Sequence, residues 1–213
     1  MTLDTNVRGV VAYRPVGHTL PSQESRIRLV QTALRLFATR GYYHTSIADI
    51  LRESGCKRGT LYHYFLSKEE LGYAAIDEGL RLAVAQGTRP YLQTNEHPID
   101  RLSKAFDALP NVMQLGGVEV STTDLGFRMA TIHEGFRKRL EGWLEPTIDL
   151  VEQVVHRGIA DGQIADSVDP RQLAHMVVTM ATGIQHMSRL WHRELICDNA
   201  RRWMKEYLNS LRR

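Results

Sequence analysis

Between Ser22 and Lys68 the chain carries a succession of short runs with helical apolar spacing, each cut off by a glycine or reopened by a capping serine, and this punctuation constrains the fold more than any other feature. Ile27, Val30, Leu34 and Phe37 follow helical spacing behind Ser22, whose hydroxyl suits the free amides of a helix start. Gly41 can take the left-handed conformation that ends such a helix. Ser46 and Asp49 have the form of a capping box, with aspartate for the usual glutamate, ahead of Ile47, Ile50, Leu51 and a stop at Gly55. After a turn of about three residues, Arg58 to Phe65 makes another short helix with Leu61 and Phe65 on its inner side. Ser67 caps a longer helix that opens Lys68-Glu69-Glu70-Leu71, its carboxylates placed where the helix dipole favours them.

This head is also where the charge lies. From Ser22 to Lys68, eight basic residues (Arg26, Arg28, Arg35, Arg40, Arg52, Lys57, Arg58, Lys68) face three acidic ones (Glu24, Asp49, Glu53), a balance of +5 in a chain whose total is only +3. A basic head on a nearly neutral body suits a polyanion-binding module attached to something else; a solvated basic face is the plainer alternative. Composition otherwise describes an ordinary globular chain, 43% hydrophobic and 24% charged.

Residues 1–21 hold Gly9, Pro15, Gly17 and Pro21 without periodicity and read as a flexible arm, a plain disordered terminus in preference to one whose Arg8 and Arg14 reach a polyanion. Beyond Gly87 every strong signal is helical. Pro98 to Leu109 carries Ile99, Leu102 and Phe106; His133 to Asp161 reads as one long helix that Pro146 should kink or split. Asp169-Pro170 opens a helix through Leu173, Met176, Val177, Met180, Ile184, Met187 and Trp191, and a last helix holds Trp203, Tyr207, Leu208 and Leu211. No strand alternation, internal repeat or low-complexity tract competes with an all-α reading.

Two short helices joined by a tight glycine turn, preceded by a packing helix in a basic head, meet the requirements of a helix-turn-helix. The second helix must be short, polar outward and anchored inward to fit a major groove ~12 Å wide. Arg58 to Tyr64 does so: Gly59 lets backbone approach DNA, Thr60 donates or accepts, and Tyr62, His63 and Tyr64 offer polar tips on aromatic bodies. Lys68 adds its charge to the free amides of a helix start, which suits a phosphate. The expected DNA surface is Lys57, Arg58, Gly59, Thr60, Tyr62, His63, Tyr64, Lys68 and Ser46, on double-stranded DNA.

The stretch from Leu34 to Leu71, through Leu-Arg-Leu-Phe-Ala-Thr-Arg-Gly-Tyr, Thr-Ser-Ile-Ala-Asp-Ile, Gly-Cys-Lys-Arg-Gly-Thr-Leu-Tyr-His-Tyr-Phe and Ser-Lys-Glu-Glu-Leu, resembles the DNA-binding domain of the TetR/AcrR repressor family. It departs from the family pattern at Lys57, where serine or threonine is usual; the recognition helix either loses a cap or trades it for an extra phosphate or base contact. The resemblance implies an N-terminal three-helix helix-turn-helix domain, here 22–68 after the 1–21 arm, and a helical ligand-binding and dimerisation domain over 69–213. It also implies a small-molecule inducer that releases the operator and a homodimer paired through its last two helices. The stripes from Leu173 to Trp191 and through Trp203, Tyr207 and Leu211 are wide enough to face both the subunit's interior and a partner. Twofold symmetry then calls for a palindromic operator.

For the inducer pocket, Phe106, Met113, Phe127, Met129, His133, Trp143, Met176, Met180 and His186 supply a soft, aromatic and sparingly polar set, although residues of this kind at helical spacing also serve as plain core. None of the nine histidines pairs with another histidine or a cysteine at the spacing that places two ligands on one helix face, so no metal is expected. Cys56, before the recognition helix, is either a packing residue or a redox-sensitive thiol. The chain has no Gly-rich phosphate loop, Gly-x-Ser-x-Gly elbow or His-Glu-x-x-His helix, and neither cofactor nor catalytic residues are expected. With two cysteines, no leader pattern and no apolar run near the ~20 residues of a membrane span, a cytoplasmic location is expected. The rival reading is a helical small-molecule-binding protein or enzyme whose helix-turn-helix is vestigial.

Overall fold

The computed structural model describes residues 22–108, 112–115, 117–190 and 194–213; the arm over 1–21 and Trp191 lie outside them. The all-α architecture read from the periodicities is the one the chain adopts. Helix α1 (Gln23–Arg40) starts where Ser22 Oγ accepts the Ser25 N–H at 3.3 Å and stops at Gly41, φ +89°. Helices α2 (Ile47–Ser54) and α3 (Arg58–Tyr64) follow, separated by Gly55 in the left-handed conformation. Helix α4 (Lys68–Ala83) begins under Ser67, whose hydroxyl accepts the Glu70 N–H at 3.1 Å.

The helical path does not break after Ala83. It continues through a π turn (Val84–Thr88) into α5 (Arg89–Leu92), where the Arg89 N–H bonds the Val84 carbonyl five residues back, just before Pro90 withdraws its own donor. Helix α6 (Pro98–Ala108) leads to a feature absent from the sequence reading, a two-stranded antiparallel hairpin of β1 (Val112–Leu115) and β2 (Val118–Ser121), with Val112 opposite Ser121 and Leu115 opposite Val118. Strands of four residues are too short to separate a two-residue period from helical spacing. Helices α7 (Thr122–Ala130), α8 (Glu134–Ala160), α9 (Pro170–Leu190) and α10 (Glu194–Ser210) complete the chain. Pro146 leaves α8 in one piece.

Two apolar cores organise these helices. One joins Leu34, Phe37, Ile50 and Leu61 of the head and Leu71 of α4 to Met129 of α7 and Phe136 and Trp143 of α8, so the head is seated on α7 and the first half of α8. The other, formed by α5, α6, the second half of α8, α9 and α10, includes Leu92, Phe106, Val155, Leu173, Val177 and Leu208. Leu144 borders both. The seating is close at Gly72 of α4: a Cβ there would lie 3.0 Å from Phe136 Cζ and 3.1 Å from the Tyr42 ring, so both rings would have to give by a few tenths of an ångström. At the far end, Arg171 ties the start of α9 to Glu145, Asp149 and Glu152 of α8.

Candidate nucleic-acid interface

The recognition element is held from beneath and left open above. Leu61 is fully buried and Phe65 nearly so, whereas Lys57, Arg58, Gly59, Tyr62 and His63 are exposed, with Thr60 and Tyr64 half-buried. The Arg58 guanidinium lies 5.5 Å from the centre of the Tyr62 ring, and the rings of His63 and Tyr64 meet edge to face at 4.8 Å. One face of a seven-residue helix therefore presents a cation, a phenol and an imidazole side by side. These are donors and acceptors of the kind that read base edges.

Lys57 sits at the N-cap of this helix with φ −78° and ψ 153°, yet no side-chain cap bond forms. Lysine has no acceptor to offer the first-turn amides, so the start of α3 relies on the Lys57 carbonyl, which takes the Thr60 and Leu61 N–H groups at 3.0 and 3.2 Å. The departure seen in the sequence thus has its expected structural effect, and the ammonium is left exposed beside the helix end.

The support beneath is ionic as well as apolar. Glu53 of α2 receives Arg35 at 2.8 Å and Arg40 at 3.0 Å, both from α1, and the two guanidiniums hold its carboxyl below the usual carboxylate range. At the start of α2, Asp49 accepts the Ser46 backbone N–H at 3.0 Å and Ser46 Oγ–H at 2.5 Å, while Ser46 Oγ accepts the Asp49 N–H at 3.1 Å. These bonds, with Arg52 beside them, keep Asp49 ionised far into acid. The Ser46 hydroxyl is thereby engaged in the cap although the residue is exposed. Thr45, fully buried, donates its hydroxyl to the carbonyls of Leu36 and Gly41 and pins the loop between α1 and α2.

Lys68 is less free than its sequence position suggested. Its ammonium donates to the Tyr42 carbonyl at 2.6 Å and stands 4.2 Å from the centre of the Tyr42 ring, and burial lowers its pKa. Three exposed side chains of the head were not among the sequence candidates: Tyr43 at 73% exposure with His44 beside it, in the loop before α2, and just after α3 the apolar Leu66 at 80%. The Tyr42-Tyr43-His44 run after Gly41 was the signal; Tyr42 turns inward against Phe37 and Phe136, while Tyr43 and His44 stay outside. Cys56 is a free, half-buried thiol whose Sγ lies 3.8 Å from the carbonyls of Ser25 and Ser54.

The residues expected to line an inducer pocket are not gathered in one place. Phe106 belongs to the second core, with Met176 and Met180 packed against it, while Met129 and Trp143 belong to the first. His133 caps α8, its Nδ1 accepting the Gly135 N–H at 3.2 Å, and its ring lies tilted against that of Phe136 with centres 4.6 Å apart. Phe127 and His186 do meet, edge to face at 4.9 Å, between α7 and α9. The side chain of Met113 falls outside those described. Missed in the sequence was the buried polar set around that contact, Ser121, Thr123, Asp124 and Gln185, because a Ser-x-x-Asp run reads as a helix cap, which Ser121 also is. Among the described residues no group of three or more His, Cys, Asp and Glu side chains is placed to hold a metal, and no helix is long and apolar enough to cross a membrane.

Comparison with known proteins agrees with this arrangement. The family model for bacterial regulatory proteins of the TetR family matches residues 29–75, and that for the tetracyclin repressor-like C-terminal domain matches residues 123–204. The uncharacterized HTH-type transcriptional regulator YxaF of Bacillus subtilis is 44% identical over 169 residues, covering 75% of this chain and 82% of that protein. The HTH-type transcriptional repressor KstR2 of Mycolicibacterium smegmatis is 27% identical over 162 residues, 70% of this chain and 73% of its own. A TetR transcriptional regulator from Chloroflexus aurantiacus superimposes with a TM-score of 0.78 at 25% identity, over 90% of this chain and 97% of that one. With the helix-turn-helix at its head and the matching helical body behind it, this chain belongs to the TetR family of transcriptional regulators.

Proposed function

We propose that the protein is a homodimeric repressor that grips a palindromic operator through α3 and releases it when a small molecule binds the helical body. The observation that carries this reading is the recognition helix itself, anchored by Leu61 and Phe65 with Lys57, Arg58, Tyr62 and His63 facing outward. Lys57 and Lys68, with Tyr43 and the amides at the start of α2 beside Ser46, supply phosphate contacts that give affinity; Arg58, Gly59, Thr60, Tyr62, His63 and Tyr64 lie against base edges and give selectivity. Repression rather than activation is favoured by the relative from M. smegmatis, which carries the name of a repressor.

In this reading residues 22–68 form the DNA-binding domain and 69–213 the ligand-binding and dimerisation domain, acting in the cytoplasm. Pairing of subunits through α9 and α10 is supported by apolar surface left uncovered there: Met187 is exposed, and so is Trp203, which stacks on Tyr207 with ring centres 5.6 Å apart. The inducer is met where Phe127 and His186 face each other between α7 and α9. A ligand that prefers the body in a form with the two heads wrongly spaced must lower DNA affinity by the same factor. The test is a mobility-shift titration on duplexes selected in vitro from a random pool. Enrichment of an inverted repeat, with Arg58→Ala losing ~1–3 kcal/mol of discrimination at one base pair of each half-site, is the expected result; a pool that stays random would end the proposal.

A further inference from the structure

One contact between body and head lies away from the DNA surface. The last four carbonyls of a helix have no partner within it. In α1, Phe37 O is met by the Gly41 N–H at 3.0 Å, but Ala38 O takes its donor from α7: Arg128 Nη2, at 3.2 Å. The same guanidinium places Nε 3.1 Å from Asp124 Oδ2. The other oxygen of that carboxylate, Oδ1, lies 3.3 Å from His186 Nδ1 on α9. Gln185, the preceding residue of α9, accepts the Thr123 hydroxyl at 2.7 Å and donates to the Ser121 hydroxyl. Successive residues of α9 thus clamp the first turn of α7, and α7 in turn holds the end of α1.

We propose that Arg128 is a positioning residue that couples α9 to the DNA-reading head, through the relay His186, Asp124, Arg128 and the Ala38 carbonyl. What lies beyond Ala38 makes the contact consequential: α1 holds α2 through Arg35 and Arg40 on Glu53, and the loop after α1 is pinned by Thr45. A shift at the C-terminal end of α1 is therefore passed to the turn that aims α3. Arginine suits the role because Nε and Nη2 point different ways from one rigid plane and serve a carboxylate and a carbonyl together. A lysine ammonium at the same place carries the charge without that fork. The inference rests on the reading that the body governs the head, and it places the signal's entry at His186, beside Phe127.

Hydrogen exchange measured by mass spectrometry on the full chain tests it, with amides of 36–46 read relative to those of α10. His186→Ala should speed exchange in 36–46 by roughly two- to ten-fold, the range expected for residues coupled in one network. In an Arg128→Met background the same change should add almost nothing, because the relay is already cut. Arg128→Lys should behave as Arg128→Met does, and it serves in that variant's place if the methionine chain fails to fold. Independent, multiplying effects of the two substitutions, or no response of 36–46 to His186→Ala, would overturn the proposal. No inducer enters the measurement, so its failure is separable from a failure to find one.

Discussion

The uncapped start of the recognition helix offers a perturbation whose two effects have opposite signs. Lys57 has φ −78° and ψ 153°, almost the conformation of the capping residue Ser22 at −80° and 153°. Replacing Lys57 by serine therefore needs no backbone movement for the hydroxyl to accept a first-turn N–H. A gained cap is worth about 1 kcal/mol, within a range of about 0.5–2. For a chain of this length that corresponds to a rise of roughly 2–4 °C in Tm, measured by circular dichroism at fixed protein concentration because assembly shifts the midpoint too. The same substitution removes an exposed cation beside the helix end. Affinity for a selected duplex should fall, and the slope of log K against log salt should flatten by about 0.9 for each lysine that meets a phosphate. Lys57→Ala separates the two effects, since it loses the charge and builds no cap. An unchanged Tm in Lys57→Ser would refute the account of the helix start; an unchanged salt slope in both variants would refute the phosphate role.

Further outcomes follow from the packing and the charges. Leu61→Ala empties a fully buried site beneath α3 and should cost about 2–5 kcal/mol; DNA binding should vanish while slow exchange persists in α9 and α10, and loss of protection throughout would mean the head does not loosen by itself. Gly158→Ala should lower stability by about 1–3 kcal/mol in denaturant titration, because the new Cβ would lie 2.6 Å from Ile164 Cδ1 and 2.9 Å from Pro98 Cγ; a neutral result would show that this corner is loose. Glu53 is held below its ordinary value of 4.5 in the folded chain, so its contribution is complete above that pH and drains away as pH falls toward the folded pKa. Glu53→Gln should flatten this part of the acid-unfolding curve. Equal acid sensitivity in both proteins would assign it to other carboxylates.

The head was legible in the sequence because its signals are local. A serine three residues before the amide it caps, a glycine at a left-handed stop and a leucine one turn from a phenylalanine act over distances the chain itself spans, and the caps at Ser22, Ser46 and Ser67 and the inward pair Leu61 and Phe65 all appear where the spacing put them. Even the missing cap at Lys57 could be read one residue at a time. What the sequence could not determine were choices between partners far apart in the chain. Lys68 could be placed at a helix start, but its added contacts with the Tyr42 carbonyl and ring could not be read, because Tyr42 lies 26 residues earlier. The pocket candidates share chemistry, yet Phe106, Met176 and Met180 go to one core and Met129 and Trp143 to the other, since helical spacing says which face of a helix is apolar and not which core that face enters. Arg128 could be read only as one more surface cation, because the carbonyl it serves is ninety residues earlier. Periodicity and capping are properties of a segment, whereas the link from α9 to the recognition head is a property of which segments meet, and only the packed molecule decides that.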